Sequence, residues 1–249
     1  MESLMNLTLQ RICPLALTLA LIAAPADASS ILIDLGNSIS FRGADVSSPD
    51  ANGNHWTSVW SGAFYSDLVD STGTPTAVDF GFSSAPGTDS FNGPAGNTTV
   101  NGPSDSVYDA AALGDLGVDE AVYDYYVDST FQIQMLDTSK TYDLNFFGSH
   151  KFNSDNTTRY TVYTDGTFTT PVASVDLLVG VNADHNQDTI ATLAGVAPQP
   201  DGIIYVGFTG ANGGSGYLNA LQITEAIPEP SAAVLALLAG LFASRPTRR

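Results

Sequence analysis

The chain runs to 249 residues with 26 acidic and eight basic side chains, a formal net charge of −18 at pH 7, and a single cysteine. A field of that sign repels phosphodiester backbones and anionic lipid, which excludes DNA and RNA as partners. The length suits one domain of ordinary size with a substantial core.

The first element is hydrophobic. Arg11 precedes the apolar stretch Ile12 to Ala24, and Ala26-Asp27-Ala28 has the small-x-small pattern at which signal peptidase cuts, with Ala26 and Ala28 as the small residues. Residues 1–28 therefore read as a signal peptide, with polar Asp27-Ala28-Ser29-Ser30 separating its helix from the first strand. Cys13 lies within it and lacks the small residues that precede a lipoprotein cysteine. The mature chain is then thiol-free, with no disulfide, thiol nucleophile or zinc–thiolate site. Over residues 29–226 the 26 acidic residues fall to 23 and the eight basic ones to four (Arg42, Lys140, Lys151 and Arg159), a balance of −19. Such a coat favours solubility and attracts divalent cations.

Strand signals follow in series. Ile31 to Leu35 is short, aliphatic and closed by Gly36; His55 to Trp60 and Ala77 to Phe82 read as the next strands. Ser83 to Ser106, built largely of Gly, Pro, Asn, Ser and Thr, reads as a long loop, either over a binding face or as a disordered excursion. Tyr108 to Leu116, with Ala110, Ala111, Ala112 and Leu113, is the one helical candidate. Thr130 to Met135 alternates strictly, placing Phe131, Ile133 and Met135 on one face, and Tyr142 to Phe146 does the same with Tyr142, Leu144 and Phe146. Further strands are expected at Arg159 to Tyr163, Val172 to Val179, Thr189 to Ala194, Ile203 to Phe208 and Tyr217 to Ile223. The turn signals Asp165-Gly166, Asp201-Gly202 and Asn212-Gly213-Gly214 separate them. About ten evenly spaced strands with almost no helix predict an all-β fold: an antiparallel β-sandwich or jelly roll over 29–226, between a signal helix and a C-terminal hydrophobic helix.

Several of these motifs belong together. Leu136 to Ser149 (LDTSKTYDLNFFGS), Asn156 to Val162, Pro198 to Val206 with its Asp201-Gly202-Ile203, Gly216 to Ile223, and the early Ile33-Asp34-Leu35-Gly36 resemble the galactose-binding-domain-like jelly rolls of secreted bacterial proteins. Such modules often stand beside polysaccharide-acting ones. The resemblance implies a fold more than a function. Where those modules often carry Arg after the Phe-Gly-Ser turn, this chain has His150 and Lys151.

The chain closes with Ile227-Pro228-Glu229-Pro230-Ser231, an apolar run from Ala232 to Ala243, and Arg245-Pro246-Thr247-Arg248-Arg249. In its order of Pro228-Glu229-Pro230, hydrophobic segment and basic cluster (Arg245, Arg248, Arg249), the segment 227–249 resembles the PEP-CTERM sorting signal. The resemblance implies processing by exosortase and delivery to the cell surface, outer envelope or matrix of a Gram-negative-type bacterium. At 1.5 Å per residue the run covers about 18 Å against the ~30 Å of a hydrocarbon core, so it suits transient or weak membrane anchoring better than a lasting span.

Chemistry is sparsely signalled. No Gly-x-Ser-x-Gly occurs, Gly213-Gly214-Ser215-Gly216 reads as a flexible turn, and His55, His150 and His185 have no paired metal spacing. Two neighbouring carboxylates are expected by chance among 23 acids, so no catalytic residue is assigned. Asp184, Asn186 and Asp188 place oxygen ligands at alternate positions, as calcium loops require, but Thr189 stands where an EF-hand needs Gly and Gly195 where it needs Glu. Asp50-Ala51-Asn52-Gly53-Asn54 has similar spacing and also lacks the closing acid. A structural calcium is the one cofactor suggested, against the plainer reading of Asx turns. For sugar binding, Tyr123, Tyr125 and Tyr126 form the expected aromatic platform and His150 and Arg159 its polar partners, while Trp60 and Tyr217 are expected in the core. Arg159 has a plainer role as anchor to a nearby carboxylate. The sequence thus points to an exported, surface-directed, non-catalytic protein associating with exopolysaccharide or matrix. The alternatives are a calcium-stabilised adhesive protein and a polysaccharide-acting hydrolase or esterase.

Overall fold

In the computed structural model, residues 29–36, 45–60, 63–91, 108–150, 156–181 and 184–226 are described. The signal peptide with Ala26 and Ala28, and the sorting segment with Pro228, Glu229, Pro230, Arg245, Arg248 and Arg249, lie outside them, as do Arg42, Lys151 and most of the Ser83–Ser106 loop. Among the described residues no helix is long and apolar enough to cross a membrane.

Two sheets pack as a sandwich. One has the order β12 (Ala191–Val196), β8 (Tyr142–Phe147), β15 (Ala220–Glu225), β1 (Ser30–Leu35), β2 (Trp56–Val59). The other runs β11 (Asp184–His185), β10 (Pro171–Val181), β9 (Asn156–Tyr163), β13 (Ile204–Gly210), β7 (Ser129–Gln134), β4 (Asp79–Phe82), β3 (Phe64–Tyr65). A third, small sheet joins β14 (Tyr217–Leu218), β6 (Asp124–Val127) and β5 (Gly87–Phe91). The all-β expectation holds. The strands outnumber the expected ten because two-residue pieces such as β3, β11 and β14 are too short to show a period.

The alternating strands behave as their patterns require. Phe131 and Ile133 of β7 and Leu144 and Phe146 of β8 enter one core with Ile33, Phe80, Tyr160, Val206, Phe208, Leu221 and Ile223. Phe146 stacks on Tyr160 at 4.4 Å and 5°. Met135 departs from expectation: at φ 61° it leaves the sheet, 64% exposed, and Leu136 takes the inward place. Position 135 is where β7 turns, with the Leu136 N–H donating to the Gly202 carbonyl at 2.9 Å, so alternation no longer dictates which side chain is inside.

Strand β1 is buried at every position. Ile31, Ile33 and Leu35 face the sandwich core, while Leu32 faces a second cluster with Trp56, Val46, Phe147 and Ala220. That second cluster is roofed by α1 (Ala110–Leu113), a 3-10 turn (Gly114–Leu116) and α2 (Asp119–Tyr123), through Leu113, Leu116, Ala121 and Val122. Asp109 caps α1, its Oδ1 accepting from the Ala111 and Ala112 N–H groups at 3.1 Å. Double coverage explains why β1 reads as a continuous aliphatic run. Its neighbour β2 is parallel to it, the one departure from an antiparallel sandwich, made feasible by the long connection from Gly36 to His55.

The expected strand Tyr217 to Ile223 divides at Asn219. Before it β14 pairs with β6, and after it β15 pairs with β8 and β1. Asn219 leaves both ladders and its amide ties three elements. Its Oδ1 accepts from the Ser149 N–H at 2.8 Å, and its Nδ2 donates to the Val122 carbonyl at 2.9 Å.

Candidate functional site

The outer face of the seven-stranded sheet carries the constellation best suited to a ligand. While Phe131 and Ile133 point inward, Gln132 and Gln134 stand on the opposite side of β7. In register across the strands lie Phe64 opposite Gly81, Gly81 opposite Gln132, Gln132 opposite Tyr205, and Tyr205 opposite Tyr163. Directly opposed residues share a face, so these five form one row across β3, β4, β7, β13 and β9. At the usual interstrand spacing the row spans about 19 Å, room for several pyranose rings.

Phe64 is 57% exposed on the edge strand β3. Its ring packs against Gly81: a Cβ there would come within 2.7 Å of the Phe64 Cδ2. Glycine thus makes room for the ring on this face. The two amides are held in order, since Gln134 Nε2 donates to Gln132 Oε1 and Gln132 Nε2 to Ser83 Oγ, both at 2.9 Å. At the other end Phe168, at φ 53°, sits edge-on to Tyr163 (5.7 Å) and Tyr205 (6.0 Å). Tyr205 donates to Asp201 Oδ2 at 2.7 Å, and this hydrogen bond to a carboxylate pushes the phenol up to about 12. An exposed ring, here Phe64, on a face that also carries oriented amides is the chemistry that receives a sugar, C–H groups on the ring and hydroxyls on the amide; Tyr163 and Phe168 are half-buried and Tyr205 is buried. A Gly81→Ala substitution is expected to tip Phe64 off the sheet with Tm shifted by no more than about 2–4 °C; ligand retention and a melting curve together check it.

Arg159 stands on the same side of β9, exposed, and grips Asp176 with Nε and Nη2, each at 2.7 Å from a carboxylate oxygen. This is the cross-strand anchor of the plainer reading, since the two residues are paired in register.

The tyrosine platform expected from the sequence is not presented. Tyr125 and Tyr126 are 1% exposed and belong to the sandwich core. Tyr123 is half-buried on α2, its ring 5.7 Å from that of Tyr108. His150 stacks on Tyr217 at 4.1 Å and 10°, with Tyr125 edge-on at 5.2 Å, and burial pulls its pKa down to about 4. It packs as a neutral ring. Tyr217 is in the core as expected, but Trp60 is 44% exposed, its N–H donating to the Tyr65 hydroxyl at 3.0 Å. The error has one cause: β6 is covered on both faces, so Tyr125 and Tyr126 are both inside, whereas Trp60 lies one residue past the end of β2.

The loops expected to hold calcium are closed by their own hydrogen bonds. Asn186 is buried, with Nδ2 donating to the Gly148 and Thr189 carbonyls (3.0 and 2.7 Å) and Oδ1 accepting from the Thr189 N–H (3.0 Å). Asp188 is exposed and its Oδ1 accepts from Thr189 Oγ1 at 2.8 Å. Asp184 lies in β11, paired with Val181. The motif is an Asx turn holding β12 to the end of β8, beside a cavity of about 440 Å³ between Leu178, His185 and Asp188. Asp50 is likewise engaged, its Oδ1 accepting from the Asn52 and Asn54 N–H groups and its Oδ2 from the Trp56 indole at 2.9 Å. Among the described residues no group of three or more His, Cys, Asp or Glu could hold a metal ion. Because hydrogen bonds within the protein already close the turns at Asn186 and Asp50, chelator is expected to leave Tm unchanged relative to calcium; a calcium-dependent rise would restore the ion.

One carboxyl has an enzyme-like environment. Asp34 on β1 is fully buried, and desolvation raises it to about 8 despite hydrogen bonds from Ser58 Oγ (2.7 Å) and the Val46 N–H (3.2 Å). It lies under the second cluster, on the Leu32 side of β1, away from the row described above.

No family profile matches the sequence, and no curated protein matches it. Among solved structures the chain is similar to a β-glucuronidase of Bacteroides uniformis, at 8% identity and a TM-score of 0.47, covering 80% of this chain and 18% of that one. It is also similar to Bacteroides uniformis β-glucuronidase 2 covalently bound to cyclophellitol-6-carboxylate aziridine, at 10% identity and a TM-score of 0.45, with the same coverages. The chain thus spans less than a fifth of those enzymes, and a likeness of this degree assigns it no activity.

Proposed function

We propose that this chain is an exported, surface-directed β-sandwich that holds extracellular polysaccharide or matrix without transforming it. The observation that carries the reading is the row from Phe64 through Gln132 to Tyr163 and Phe168: a broad, shallow, aromatic-and-amide face suited to a long polymer. Export is supported by Arg11, the Ile12–Ala24 run and Ala26-Asp27-Ala28; surface sorting by Pro228-Glu229-Pro230 and the terminal arginines. The role without chemistry is supported by Asp34, a carboxyl that burial raises to about 8, being 0% exposed and out of reach of a polymer on the outer face.

Retention of the purified protein on the extracellular polysaccharide of its host tests this. The wild type is expected to bind, and Phe64→Ala to weaken binding by at least about tenfold, as loss of an anchoring aromatic contact does. The edge position of Phe64 leaves the fold intact. No retention on any envelope polysaccharide, or new reducing ends released from the bound polymer, would overturn the proposal.

A further inference from the structure

The row is bracketed by carboxylates. At the Phe64 end stand Asp67, exposed at φ 55°, and Asp79, whose Oδ1 accepts the Asp67 N–H at 2.9 Å. Asp79 is opposite Gln134 in register and therefore on the face of the row. At the Tyr205 end stand Asp201 and Asp165, both exposed. Hydrogen bonds from Thr167 hold Asp165 below the usual carboxylate range. The partners of these four acids are neutral donors: backbone N–H groups of Asp67, Ile203 and Thr167 and the hydroxyls of Tyr205 and Thr167. Of the two described Lys and Arg side chains, Lys140 is paired with Glu225, and Arg159, exposed on the same side of β9 as the row, is paired with Asp176.

We propose that the polymer taken by this face is a cationic amino-sugar chain, bearing free ammonium groups. The proposal rests on the preceding reading of the face as a polysaccharide surface and adds its charge class. A uronic acid chain would bring its carboxylates into a field from four others, with Arg159, already paired to Asp176, as the described Lys or Arg on that face. A neutral chain would gain hydrogen bonds from its hydroxyls to the acids but no charge attraction. An ammonium gains attraction from the carboxylates at either end and, over the exposed Phe64 ring, a cation–π contact. Exposed contacts of this kind each change affinity by about two- to fivefold, and several act together along a polymer.

The test compares retention of the purified protein on three immobilised polymers: partly deacetylated poly-N-acetylglucosamine, its fully acetylated counterpart, and polyglucuronate. Asp67→Asn and Phe64→Ala are run beside the wild type; asparagine tolerates the left-handed backbone at 67, so the fold is kept. Expected is binding to the deacetylated polymer that exceeds binding to the acetylated one by about tenfold. Asp67→Asn should reduce it two- to fivefold and Phe64→Ala about tenfold, with no retention on polyglucuronate. Equal binding to the acetylated polymer, or preference for polyglucuronate, overturns the inference while leaving the polysaccharide reading in place. Binding to the deacetylated polymer that neither substitution alters also overturns it, since attraction to the net negative charge alone would then suffice. Retention on none of the three overturns the inference, and the wider reading falls only if the host's own polysaccharide also fails.

Discussion

Asn219→Ala is expected to destabilise the protein by about 2–4 kcal/mol, because it removes the two buried hydrogen bonds that the Asn219 amide makes to backbone groups. The Ser149 N–H and the Val122 carbonyl bond to the two ends of the Asn219 amide, and Asn219 is completely buried. Backbone bonds at the same residue, Leu35 N–H to the Asn219 carbonyl and Asn219 N–H to the Phe147 carbonyl, survive the change, so the chain path is kept while the side-chain tie is lost. For a domain of this size the loss corresponds to about 4–16 °C in Tm. Asn219→Asp should be no better, since it replaces the donor to Val122 with an acceptor and buries a charge. A melting temperature within 2 °C of the wild type for Asn219→Ala would refute the account of the Asn219 side chain as a tie between the segment after β8 and α2.

The second large effect is a pH dependence set by Asp34. Its folded pKa is about 8, whereas an unfolded Asp titrates near 3.9, so across that interval the unfolded state binds fewer protons than the folded one. Stability therefore falls as pH rises between those values, opposite to the usual behaviour of a paired carboxylate. His150 acts in the reverse sense over part of the range. Its folded pKa is about 4 against an unfolded value near 6.5, so its protonation costs stability as pH falls through that window. The two slopes offset between about pH 4 and 6.5 and leave Asp34 alone above it. From pH 6.5 to 8 the wild type is expected to lose about 2 kcal/mol relative to Asp34→Asn, which keeps the size of the side chain and its neutral hydrogen bonding. Other charged groups face the same carboxyl: Asp45 from the loop before β2 and Glu120 from α2, both raising it further. Denaturant unfolding of both proteins across pH 6.5–8 measures the difference. Parallel curves would mean that Asp34 ionises in the folded state at an ordinary pH, contrary to its burial.

How far the sequence could be read depended on whether a feature was local. β7 and β8 were legible because strict alternation of apolar and polar residues is a contact between neighbours two apart, and Phe131, Ile133, Leu144 and Phe146 enter the core as that pattern demands. The helix at Ala110 was legible because alanines behind Asp109 carry both propensity and cap. α2 was not, since a five-residue helix has no full amphipathic period and is held by the cluster above β1.

The site was harder. Gln132 and Gln134 were visible as the polar partners of an inward-facing strand, but nothing adjacent in the chain marks them as neighbours of Phe64 or Tyr163, which lie 68 and 31 residues from Gln132 respectively. Tyr123, Tyr125 and Tyr126 looked like a platform because their acidic neighbours suggested a wet surface, yet Asp124 is itself buried between them. The Asp184, Asn186 and Asp188 spacing fits an ion as well as it fits a turn, and only the partners of the Asn186 amide decide for the turn.

By itself, then, the sequence determined the all-β class, the inward faces of its alternating strands and the charge of its surface, because these follow from composition and from periods of two residues. Only the tertiary structure decided which aromatic rings meet solvent, that Met135 yields its inward place to Leu136, that Asn219 divides a strand in two, and that Gly81 makes room for Phe64. Each of those depends on what covers the second face of an element, and that cover is brought there from a distant part of the chain.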